Sequence, residues 1–295
     1  MHCVDRGTSN LLLRVAAIAI MLSSVGRSQT LLAELTNVGV EFREGVKVVL
    51  PTPTLAGELN AEQLEQARSQ LAGNDGWDKF TRDSVVAPVT IKLEYVTDKE
   101  GTRVGHNVHS AFVVHAKLES LADKVLMQQI FGKPDSKDAS GMKVVELSEA
   151  EMKEAGVEVL TADEKTATNV TYSHVEFTLL EKIRLKGVMR IERLATPGST
   201  TICWMLDQQF KSNDSLRGTW AKIGDEASEP KPYAGWAGYM NVTRVNESPE
   251  TLLIESRMLL HELPEWFSAS NFVRSKLPLA IQEGARNFRR KLKSQ

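Results

Sequence analysis

Cysteine is nearly absent from this chain: its 295 residues include two, Cys3 and Cys203. An excess of one charge is missing as well, since 36 Lys and Arg stand against 38 Asp and Glu for a net charge of −2. Neutralising phosphates takes a basic stripe, so nucleic acid is excluded as the expected partner. No apolar run reaches the ~20 residues that cross a bilayer as a helix. HExxH, paired CxxC, GxSxG and GxGxxG are all absent, and no repeat or low-complexity tract is found. What remains is a globular composition, 42% hydrophobic and 25% charged, large enough for one sizeable core or two small ones.

The N-terminus carries an address. Arg6 and Arg14 precede VAAIAIMLSSVG (15–26), and Gly26 and Ser28 are small residues at −3 and −1 of a cleavage before Gln29. The expectation is a signal peptide over 1–28 and a periplasmic or extracellular protein with no stable membrane span after cleavage. The alternative is an uncleaved N-terminal anchor, prolonged through Leu11, Leu12 and Leu13. Cleavage removes Cys3 and leaves Cys203 alone in the strand-like run TTICWMLDQQF, so no internal disulfide forms. Cys203 reads as a small buried hydrophobe.

Periodicity supplies the elements. A hairpin is expected over 38–50, and a helix over 61–72 with Asn60 as N-cap, Gln63 reaching back and Gly73 ending it. These lie in an N-terminal extension, 29–80. Residues 81–295 then read as one α+β domain. Strands are expected at 85–96 and 104–119, with a short helix from Ser120 to Gly132. A polar insertion follows at 133–169, exposed, with a capping box at Ser148 and Glu151. From Val170 to Leu263 strand patterns follow one another without a helix, which means an antiparallel meander.

The chain closes on SNFVRSKLPLAIQEGARNFRRKLK, 270–293. On a helical wheel Val273, Leu277, Ala280, Ile281, Gly284, Ala285, Phe288 and Leu292 form one stripe, with a kink or fresh first turn expected at Pro278. Burying Leu277, Ile281, Phe288 and Leu292 at ~1.5–3 kcal/mol each is comparable with a domain's whole net stability, so the helix must dock on the strand-rich half. Arg286, Arg289, Arg290, Lys291 and Lys293 at its end read as a solvated, dipole-complementing cluster. A curved antiparallel sheet with this helix on one face would leave a cavity between them.

That order of elements resembles the START-like (helix-grip) superfamily over roughly 85–295. The stretch YAGWAGYMNVTRV at 233–245, with the run from Leu252 to Leu292, resembles exported proteins of planctomycete-type bacteria to which no activity is attached. The superfamily resemblance implies a cavity under the last helix, nothing narrower; no cofactor is expected. The expected partner is then a lipid or other apolar small molecule, with Trp204, Trp236, Tyr239, Leu277, Ile281 and Phe288 as walls.

Two other readings stay open. In TYSHVEF, Tyr172, His174 and Glu176 share a strand face, so a cavity enzyme of hydrolase or cyclase type would use His174 with Glu176 or Asp207. Asp207 otherwise sits exposed at a strand end or pairs with Arg244 or Arg257. A structural or interaction protein of the envelope would instead present the insertion. A metal site is not expected, because His109 and His115 share a face but lie ~20 Å apart on a strand. GWAG at 235–238 reads as a bulge or a close backbone approach.

Overall fold

The computed structural model describes residues 30–293, apart from 44, 58, 123–142, 158–167, 225–228, 246–247 and 268–270. The expected signal peptide, and most of the expected helix 120–132, lie outside those residues. From the latter, a 3-10 turn at Leu118–Ala122 is described.

In chain order the elements are a helical turn α1 (Leu31–Ala33, widening into a π-turn through Val38), β1 (Val40–Arg43), β2 (Val46–Val48), α2 (Ala61–Ala72), α3 (Trp77–Thr81), β3 (Thr90–Thr97) and β4 (Arg103–His115). There follow β5 (Lys143–Glu146), α4 (Glu149–Glu154), β6 (Thr168–Leu179), β7 (Ile183–Ala195), β8 (Ser199–Leu206), β9 (Thr219–Lys222), β10 (Lys231–Pro232), β11 (Trp236–Val245), β12 (Ser248–His261) and the closing helix α5 (Phe272–Lys293).

Every strand pairing is antiparallel. The path β3-β4-β12-β11-β8-β7 continues into β6 and β5, while β9 and β10 extend β7's other edge beyond the end of β8. Pairing the chain's early hairpin β3-β4 to its last strand, β12, makes β3 one edge of the sheet and sets β4 and β12 inside it. The sheet is bent: Phe177 of β6 and Trp236 of β11, with β7 and β8 between their strands, bring their rings to 4.1 Å. Flat strands ~4.8 Å apart would hold them much farther from each other.

The two faces are covered by different parts of the chain. Alternation sends Val108, Phe112, Val114, Leu252, Ile254, Met258 and Met240 to one side, where α5 lies. The residues between them, Ala111, Val113, Leu253, Leu259, Tyr239 and Cys203, go to the other side. There α1, the β1-β2 hairpin, α2 and α3 bury them with Leu31, Leu35, Phe42, Leu50, Leu71 and Phe80. The N-terminal extension is therefore one outer layer of three: extension, sheet, closing helix.

α2 spans the expected residues, with the reciprocal Asn60 and Gln63 cap. The stretch expected as an exposed insertion differs. β5 lengthens the sheet along β6, and Leu147, Met152 and Val157 are buried with Tyr172, Val188 and Phe210. The Ser148–Glu151 capping box forms as read, and it starts a helix whose one apolar turn finds the back of β6.

α5 departs from its wheel in two ways. Val273, Leu277, Ala285 and Phe288 are buried, whereas Ala280 and Gly284 face solvent. The contact is narrower than the stripe, because α5 rests chiefly on β4 and its neighbours. The second departure is Arg289, read as part of a solvated end. It is buried, and its guanidinium donates to the carbonyls of Val113 (2.9 Å), Ala87 (2.6 Å), Val85 (3.3 Å) and Pro88 (3.1 Å). The segment before β3 runs with its carbonyls unpaired by sheet, and one planar fork satisfies them together. Burial, with Arg286 and Arg82 nearby, pulls the Arg289 pKa down to about 10.

Candidate functional site

The sheet face beneath α5 is unevenly covered. At the helix's C-terminal end Phe288 meets Phe112 edge to face and Arg289 locks to the β3 side, leaving a void of only about 10 Å3 beside Asp83, Val114 and Leu292. At its start, the Tyr95 hydroxyl donates to Asn271, and the Arg103 and Arg274 guanidiniums lie over the Tyr95 ring. Away from β4 the same face continues across β12, β11, β8, β7 and β6. Met258, Met240, Ile202, Trp204, Ile191 and Phe177 there are only half-buried, and so is Ile281 on the facing side of α5.

Small residues shape this strip. A Cβ on Gly238 would stand 2.8 Å from the Trp204 indole and 2.4 Å from the Arg257 carbonyl oxygen, so only glycine lets Trp204 lie down across β11. Gly235 has φ +84, and a Cβ there would meet Phe42 and His261 at 2.9 Å, which makes the GWAG run a place of close approach on both faces. At the far end, the β6-β7 turn puts Leu180 and Glu181 at φ 48 and 59. Such a turn ordinarily uses Asn-Gly, and each non-glycine residue costs ~1–2 kcal/mol there. What holds it is Leu180, which packs against the cluster of Val108, Val273 and Leu277 and so ties the far strands to α5.

The polar groups on this face are few. Among the described residues, the indole N–H groups of Trp204, Trp236 and Trp266 have no hydrogen-bond partner. Buried indoles ordinarily find an acceptor, so three such donors on one apolar surface are a feature needing an acceptor from elsewhere.

The opposite face is held by bonded pairs. His109 meets Glu255 at 3.0 Å, and the Glu255 carboxylate also accepts from the backbone N–H and hydroxyl of Thr54, both at 2.7 Å. Burial alone would raise the Glu255 pKa, but the His109 and Thr54 hydrogen bonds outweigh it and hold the carboxyl below the usual range. Glu192 accepts from the Leu31 backbone N–H, and Arg190 pairs with Glu34, fastening α1 to β7. On the α5 side of β4, His106 and Glu262 form a second buried pair at 2.5 Å. Each histidine reaches a residue two places along from its direct partner on β12, the diagonal of an antiparallel ladder. The sequence sets His109 only against His115, as a metal pair too far apart to chelate one ion. A buried strand histidine needs a hydrogen-bond partner, but locating the carboxylate requires the β4-β12 register. Among the described residues no group of three His, Cys, Asp or Glu side chains could hold a metal ion.

The expected site residues separate. Trp204, Trp236, Leu277 and Ile281 lie on the α5 side, and Phe288 is packed into its tight end. Tyr239 is on the opposite face, fully buried, its hydroxyl donating to the Pro51 carbonyl at 2.8 Å. β11's alternation sends Trp236, Gly238 and Met240 one way and Tyr239 the other, so it cannot line the same cavity. His174 and Glu176 also point away from α5. Glu176 pairs with Arg184 and Lys186, and burial with the nearby Lys186 lowers the His174 pKa. Asp207 is buried rather than exposed. It caps the turn Gln208–Ser212 by accepting from the Gln209 backbone N–H at 2.9 Å, and burial raises its pKa. It pairs with neither expected arginine: Arg244 is bonded to Glu119, and Arg257 approaches Glu255. β7 lies between Asp207 and His174, so the three do not form one constellation. Cys203 is buried and unpaired, its thiol pushed well up by burial and by Glu192.

Among solved structures, the chain is similar to three human proteins, each at a TM-score of 0.37. The StarD13 (DLC2) lipid transfer and protein localization domain is 13% identical, over 80% of this chain and 98% of that one. STARD10 is 13% identical over 78% and 80%, and StAR-related lipid transfer protein 5 is 14% identical over 79% and 93%. No family model and no curated protein matches the chain. The likeness of residues 233–292 to exported bacterial proteins therefore finds no support there. The lipid-transfer names belong to those proteins, and a function for this chain rests on its own side chains.

Proposed function

We propose that this protein binds an apolar or amphipathic small molecule of the lipid class between α5 and the curved sheet, as a carrier and not as a catalyst. The supporting observation is the strip of half-buried Ile191, Ile202, Trp204, Met240 and Met258 beside three indole N–H groups without acceptors. Apolar surface left wet costs about 25 cal/mol per Å2, and a ligand covering it recovers that free energy while its polar end accepts from an indole. The enzyme reading loses its base and acid from this surface, since His174, Glu176 and Asp207 all lie on the other side of the sheet. Among the described residues no helix is long and apolar enough to cross a membrane. Export, read from the 15–26 run, belongs to the same proposal, and N-terminal sequencing of protein recovered outside the cytoplasm tests it.

The carrier reading is tested by native mass spectrometry of protein purified without detergent. A reproducible added mass is expected, lost in Ser256→Trp, which places an indole in the strip beside Met258. An apo mass throughout, or an adduct that survives that filling in a variant of normal melting temperature, would sink it.

A further inference from the structure

A hollow of about 710 Å3 opens on the extension's side of the sheet, where α1 and the β1-β2 hairpin meet the end of β8. That is within the ~300–1,000 Å3 of small-molecule sites. Both ends of the π-turn, Glu34 and Val38, line it. Such turns are rare and are frequently found at functional sites.

The β7-β8 ladder sets two of its polar groups side by side. Arg190 stands opposite Met205. Asp207, one residue past β8 and bonded through its backbone N–H to Val188, is the diagonal neighbour of Arg190 on the same face. Diagonal neighbours stand ~7–8 Å apart, within reach of long side chains. Each group has hydrogen-bonding capacity left. The Arg190 guanidinium pairs with Glu34, but its Nε–H is buried without an acceptor. Asp207 is 6% exposed, and its carboxylate accepts from the Gln209 backbone N–H at 2.9 Å and side-chain amide at 3.3 Å. A carboxylate takes about four such bonds.

The mixture of charges points to the class of ligand. The lining carries both signs, with Glu41 and Lys47 facing each other across the hairpin and Lys211 beside Asp207, Arg190 and Glu34. An anion is opposed by the carboxylates and a cation by the ammonium and guanidinium groups, whereas a hydroxyl donates to one kind and accepts from the other at once. Val38, which is 43% exposed, adds with Val40 and Met205 an apolar strip suited to the C–H face of a sugar ring.

We infer that this hollow binds a neutral saccharide whose vicinal diol bridges Asp207 and Arg190, one hydroxyl donating to the carboxylate and its neighbour accepting from the Nε–H. The full thickness of the sheet separates this site from the surface beneath α5, so the two stand or fall separately.

Isothermal titration calorimetry of the full chain tests it. The probes are cellobiose, maltose and lactose, with glycylglycine as a zwitterionic control and glutarate as an anionic one. At least one disaccharide is expected to bind, more tightly than either control. Asp207→Asn keeps an oxygen for the turn cap but loses the charge, and is expected to weaken that binding about tenfold, as for one charged hydrogen bond. Val38→Trp fills the hollow from an exposed position, and is expected to abolish binding at an unchanged melting temperature. No binding of any of the three disaccharides at millimolar concentration, a control that binds as tightly as they do, undiminished binding by folded Asp207→Asn, or binding that survives Val38→Trp would each overturn the assignment.

Discussion

The same strands present two faces that are finished differently. Under the N-terminal extension, Cys203, Ala237, Tyr239 and Leu259 are each 0% exposed, and Glu255 and Glu192 are bonded to that extension. Under α5, the neighbouring residues Ile202, Trp204, Met240 and Met258 stay half-buried, and three indoles lack acceptors. A helix can cover little more than the strands it lies along, whereas a hairpin, two helices and a linker follow a curved surface closely. The contrast assigns stability mainly to one side and ligand contact mainly to the other.

The largest effect that would break this contrast is a pair of truncations. Phe42→Ala removes a 1% exposed ring wedged against Gly105 and Gly235 and is expected to cost about 3–5 kcal/mol. Trp204→Ala, a larger deletion from the half-open face, should cost clearly less, about 1–2 kcal/mol. Urea denaturation of both variants checks this, and equal losses would mean that the two faces are equally packed.

Next in size is Arg289, where the helix is fastened to the segment before β3. Arg289→Met is expected to lose about 2–4 kcal/mol by leaving buried carbonyls unpaired. Arg289→Lys should restore little, because one ammonium cannot reach four carbonyls set around a planar fork. If lysine rescues, the contribution is charge near the helix end and not the hydrogen-bond set.

The smallest of the three sharpens the chemistry of the face under the extension. Glu255 is held below its ordinary value of about 4.5 in the fold. Its contribution is thus present above about pH 4.5 and is lost as pH falls through the lower folded value. Glu255→Gln is expected to cost about 1–3 kcal/mol at neutral pH. It should also flatten the acid side of the stability profile. A profile unchanged from pH 6 to 3 would show that another carboxylate governs acid unfolding.

Much of the fold was readable from local chemistry. Asn60 and Gln63 declare the start of α2, Ser148 and Glu151 that of α4, and the alternations in 233–263 give two long strands. Which residues share a site was not. Tyr239 read as a neighbour of Trp236, and the alternation that made β11 a strand also parts them. Arg289 read as one more solvated cation, since its four carbonyl acceptors come from segments about 176 to 204 residues away. Leu147 and Met152 stood in a polar stretch, and only β5's pairing with β6 carries them to the core.

The sequence by itself determined that this would be an α+β molecule with an antiparallel meander and a docked closing helix. Those features depend on periodicity and capping, which act within a few residues. The tertiary structure decided that the N-terminal extension packs on one face of the sheet. It also decided that α5 covers the other only in part, and that the candidate base and acid stand away from the open surface. Each of these depends on register and curvature, which arise when strands more than a hundred residues apart pair.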